Sequence, residues 1–161
     1  MKTSLRFLLG FVLVASLAAA VIELPAVSFT LGPSRFRQGD QIVIDQVLAS
    51  SPKFELGDRV MVRGHYVLTS ESKASISLFL THTEDRKREF VAPEQSAKIM
   101  TGEGRFELAY DVKYPGVLHV SFYRASDGQA FGGVYFGTAA QMAEIKDWKL
   151  ADYPEKGATD R

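Results

Sequence analysis

The chain has 161 residues, with 19 Lys and Arg against 19 Asp and Glu, three His and no Cys. Without Cys there are no disulfides, thiolate metal sites, cysteine nucleophile or lipid-modified N-terminal Cys. The balanced charge gives no clustered basic face, so nucleic acid is not an expected partner.

At the start, Lys2 and Arg6 precede an apolar run from Phe7 to Leu17, interrupted by Gly10 and Ser16 and closed by Ala18-Ala19-Ala20. This is the charged, apolar and small-residue order of a secretion signal, with Ala at both positions that a signal peptidase reads. Extended through Ile22, the uncharged stretch spans 16 residues from Phe7, short of the roughly 18 to 20 that cross a bilayer. The sequence therefore predicts a signal peptide over 1–20, cleavage before Val21, and a secreted chain. An uncleaved leader would be its one route to a membrane. Loss of Lys2 and Arg6 leaves 17 basic residues against 19 acidic ones. Export without disulfides fits a bacterial periplasm or cell exterior. The remaining length predicts one domain over 21–150, large enough to be stable on its apolar core, and a flexible tail over 151–161.

Beyond Pro25 the pattern has period two, which sends side chains to alternate faces of strands. Ile42, Ile44 and Leu48 open the series. Val60, Val62, Tyr66 and Leu68 share one parity, with Arg59, Arg63 and His65 on the other. Ala74, Ile76, Leu78 and Leu80 alternate with Ser75, Ser77 and Thr81. Phe106, Leu108 and Tyr110 follow, then Leu118, Val120 and Phe122 against His119 and Ser121, and Val134 to Phe136 close the set. Between them lie Gly39-Asp40, Ser51-Pro52, Gly57-Asp58, Tyr114-Pro115-Gly116 and Ser126-Asp127-Gly128, residues suited to turns. Tyr66, Leu78, Phe106, Leu108, Val120 and Phe122 are predicted to share one core. Two stretches leave the rhythm. His82 to Met100, charged at its start, reads as a solvated loop with room for an extra edge strand. Ala139 to Leu150 reads as one short helix with Met142, Ile145 and Lys149 near one face. The class is all-β: an antiparallel sandwich or barrel, with a jelly roll as the alternative topology.

From Gly57 to Gly137 the order resembles an immunoglobulin-like or fibronectin-type β-sandwich. Gly57 to Val62 resembles a second strand, Ala74 to Thr81 a third, and Gly104 to Tyr110, Leu118 to Tyr123 and Phe131 to Phe136 the last three. Tyr114 stands where such folds place a corner tyrosine. The Cys-Trp-Cys hallmark of antibody domains is absent. The resemblance implies a fold and no particular function.

Motifs for a nucleophile elbow, a zincin, a phosphate loop or a dinucleotide site are all missing, so no catalytic residue, metal or cofactor is assigned. The glycines from Gly128 to Gly137 read as a hairpin in which larger side chains would clash. His82-Thr83-Glu84 places a possible ligand pair on one strand face, and His65 and His119 are expected on opposite sheets. The informative feature is the parity opposite the core in the last strands. It gathers Phe79, His119, Tyr123, Tyr135 and Phe131 among hydroxyls, a surface suited to a carbohydrate ring or to an envelope protein partner. The expected function is an exported, non-enzymatic binding module. A structural domain of the cell envelope is the alternative, and a glycan-active enzyme the second alternative.

Overall fold

The computed structural model describes residues 23–82 and 91–148. The predicted leader, the charged run over 83–89 and the tail lie outside the described residues, as does the His82-Thr83-Glu84 pair apart from the His82 backbone. Within them the chain forms β1 (Thr30–Arg35), β2 (Gln41–Ala49), β3 (Arg59–His82), a single 3-10 turn (Pro93–Gln95), β4 (Ser96–Asp111), β5 (Gly116–Arg124), β6 (Ala130–Gly137) and α1 (Ala139–Glu144). The all-β expectation holds, with antiparallel strands and one short C-terminal helix.

The strands make one curled sheet in the order β1-β6-β5-β3-β2, with β4 also on β3. β3 is its spine. β4 follows it along one edge from Asp111 at Arg59 to Ser96 at Ser77. The other edge takes β2 along Val60–Val67 and then β5 along Ala74–His82. The second and third strands read separately from the sequence are thus two halves of one 24-residue strand. The stretch up to Met100, expected as a loop with room for an extra edge strand, supplies from Ser96 the start of β4, which lies on the edge of β3. The β3–β4 register slips between Leu68 and Lys73, where the polar Thr69-Ser70-Glu71-Ser72 run suggests a turn.

Asp40 explains how the chain stays extended there. Its carboxylate is buried and accepts the backbone N–H groups of Thr69 (2.8 Å) and Ser70 (3.0 Å) and the hydroxyls of both residues. Beside it Arg37 donates to Glu71 at 2.8 Å. The β1–β2 connection therefore clamps the bend of β3 and satisfies the donors that the slipped register leaves over. Asp40→Ala should lower stability by about 1–3 kcal/mol, because buried donors lose their acceptor. Urea denaturation reads this directly, and an unchanged midpoint would show that the clamp is dispensable.

A second device closes the curl. Residues 25–27 lie on β2, with the Val27 N–H to the Val47 carbonyl and the Ala49 N–H to the Pro25 carbonyl, both 3.0 Å. A few residues on, β1 pairs with β6. One N-terminal segment thus holds two separate edges and folds the sheet over its apolar face. The enclosed core contains all six residues predicted to share it: Tyr66, Leu78, Phe106, Leu108, Val120 and Phe122. Phe54 plugs one end at φ 56° and meets Phe136 edge-on at 6.0 Å. Few bulky residues adopt such a φ, so the packing of the ring must outweigh the local cost.

The helix forms where expected but is shorter. Thr138 accepts the Gln141 N–H and the Gln141 side chain accepts the Thr138 N–H, a reciprocal cap. It buries Met142, and the adjoining Ile145 packs with it against Val117 and Tyr135 on the outer side of the sheet. Gly32 of β1 makes the approach possible, since a Cβ there would stand 2.3 Å from the Met142 sulfur.

Candidate functional site

The outer side of β3, β5 and β6 is ordered by register into rows. Phe79 of β3 stands opposite His119 of β5, and His119 opposite Tyr135 of β6. The next row is Ser77, Ser121 and Gly133, and beyond it Ser75 pairs with Tyr123. Ser77 and Ser121 are 2% and 0% exposed, so this row lies beneath the aromatic side chains beside it. Gly133 is required for that arrangement, because a Cβ at this position would come within 2.2 Å of the Ser121 hydroxyl.

Four of the five residues expected on this face are brought together. Phe79 and Tyr123 meet edge to face at 5.4 Å and 87°. His119 lies 6.5 Å from Phe79 and 5.3 Å from Tyr135. The strip continues to Trp148, edge-on to Tyr135 at 5.7 Å, a contribution that no strand parity signals. Phe131 is the exception and corrects the expectation. Its ring is 1% exposed and stacks on Phe122 at 5.5 Å and 17°, on the core side. The reason is a slip in the β5–β6 register between Phe122 and Tyr123, which gives β6 an extra residue and reverses the parity of its first part.

The strip is not uniformly open. Tyr135 is 7% exposed and donates or accepts at Thr81 over 2.9 Å, while α1 and Trp148 cover it. Phe79, His119 and Tyr123 are half-buried. Desolvation by burial lowers the His119 pKa to about 4, so the ring is neutral near neutral pH. Its Nδ1 is 2.8 Å from the Ser121 hydroxyl. The pair has the separation of a base and nucleophile, yet Ser121 is fully covered and no carboxylate among the described residues orients the imidazole, so the contact satisfies the buried hydroxyl instead.

The opposite half of the domain carries a charged outer face. Along the β3–β4 ladder Arg59 pairs with its cross-strand partner Asp111 at 2.7 Å, and Arg63 with Glu107 at 2.6 Å. His65 turns to Asp45 of β2 at 3.1 Å. Both signs alternate, which suits a solvated surface and offers no polyanion site. Among the described residues no three His, Asp or Glu side chains converge as a metal site would require, and no helix is long and apolar enough to cross a membrane. No family model, curated protein or solved structure matches the chain.

Proposed function

We propose that the chain is an exported, non-enzymatic interaction module of the cell envelope, built on an immunoglobulin-like sandwich, whose contact surface is the partly exposed end of the aromatic strip at Phe79 and Tyr123. The observation that carries this reading is the half-exposed edge-to-face pair above a buried serine row. Large rings seated on a rigid sheet lose little entropy on binding and are favoured contact anchors. The 87° angle between them supports an envelope protein over a carbohydrate, since a sugar ring stacks on a flat platform and these two rings present none in common.

A photo-reactive amino acid at position 123, tested in the exporting cell, checks this. The expected result is a discrete adduct whose component from this chain begins at Val21, and which falls at least about tenfold when Phe79→Ser removes the neighbouring anchor. A folded, exported protein that yields no adduct would overturn the reading. The alternative would then lead: a structural envelope domain, favoured by α1 and Trp148 covering the Tyr135 end of the strip.

A further inference from the structure

An unpaired strand edge exposes a row of backbone donors and acceptors, and proteins usually blunt such edges. β1 is blunted: it has six residues, contains Pro33, which lacks an N–H, and its register slips between Leu31 and Ser34. β4 is not. It runs for 16 residues without proline and pairs with β3 alone. Met100, Thr101, Gly102, Glu103 and Arg105 are all exposed, so this part of the edge is open to solvent among the described residues.

The charges on that stretch are unsatisfied in a particular way. At Arg59–Asp111 and Arg63–Glu107 the β3–β4 ladder places opposite charges across from one another, and both pairs form. The next two steps break the pattern. Arg105 faces His65, which is already tied to Asp45, and Glu103 faces Val67. Neither Arg105 nor Glu103 has an ion pair or side-chain hydrogen bond among the described residues. The two stand on one outward face with Gly104 between them, and in an antiparallel pairing of identical strands centred on Gly104 each would lie directly opposite the other.

We propose that the free edge of β4 pairs with the same edge of a second copy of this chain, antiparallel about a two-fold axis at Gly104. Glu103 to Arg105 of each copy form the centre of the shared ladder, next to the irregular Gly102. Glu103 of each subunit meets Arg105 of the other, so the contact is isologous and closes at two subunits. Edges that avoid self-association carry like charges, which repel in this arrangement. Here the order acid, glycine, base reads as its own complement when reversed. Gly104 itself is explained by the core side, where a Cβ would stand 2.6 Å from the Tyr66 ring. The ladder joins the sheets edge to edge and leaves the aromatic strip unoccupied, so the inference is independent of the function proposed above.

Sedimentation equilibrium of the purified full chain across a wide concentration range tests it. The unsubstituted protein is expected to dimerise. Glu103→Arg or Arg105→Glu, each exposed and each placing two like-charge contacts at the axis, should weaken the dimer by about tenfold or more. Combining the two substitutions restores complementarity and should restore the dimer. A monomer at every concentration, or a dimer indifferent to the single reversals, would overturn the proposal. Thermal melting of each variant separates loss of pairing from loss of fold.

Discussion

Phe122→Ala is expected to destabilise the domain by roughly 3–5 kcal/mol, the range for deleting a buried aromatic ring and leaving a cavity. The ring is 0% exposed and is the hub of the aromatic core: stacked on Phe131, and edge-on to Tyr66 and Phe36, both at 6.3 Å. These neighbours belong to three different segments, so the void cannot close by moving one of them. Domains of this size have about 5–15 kcal/mol in total, and the variant should unfold at a markedly lower urea concentration. Phe79→Ala, on the half-exposed outer strip, serves as the comparison and should cost about 1 kcal/mol. Equal losses at the two positions would mean that the sheet has no true inside.

The second large effect is on pH dependence. His119 binds its proton near pH 6.5 in the unfolded chain and only at about 4 in the folded one. Between those values the unfolded state carries the extra proton, so stability is full above 6.5, declines as the pH falls towards 4, and declines no further from this group below that. At about 1.4 kcal/mol for each pH unit, the window is worth roughly 3 kcal/mol. The imidazole's surroundings account for the sign: Phe79, Tyr135 and the Ser121 hydroxyl face it, and no carboxylate among the described residues pairs with it. Subtracting the stability profile of His119→Gln from that of the parent isolates this contribution from the carboxylates, which titrate nearby. A difference that stays flat from pH 7 to 4 would refute it.

Period-two alternation was sufficient to locate the core, because Val120, Phe122, Leu78 and Leu108 lie in regular stretches where parity is preserved. It was also sufficient to assemble Phe79, His119, Tyr123 and Tyr135, whose strands are neighbours in register. It failed wherever a register slip intervened. Phe131 is the extra residue of such a slip and turns inward, and nothing in Ala130-Phe131-Gly132-Gly133 marks the position. The polar run at Thr69 to Ser72 resembles a turn locally. Only Asp40, some thirty residues earlier in the chain, makes it the bend of a continuous strand. Trp148 was invisible for a different reason: it reaches the strip from beyond α1, by tertiary packing that no local pattern encodes.

The segment that closes the curl also bears on how the molecule is assembled in time. Thr30 pairs with Gly137, so the first strand to leave a ribosome or a translocation channel has its partner in the last. Hairpins such as β3–β4 and β5–β6 join neighbours in sequence and can form early, whereas β1 must wait, unpaired, for nearly the whole chain. Bringing such distant ends together carries a loop-closure entropy that local contacts do not, and topologies rich in distant pairings fold slowly. A chain emerging from its N-terminus therefore stays open at this seam until its final strand arrives.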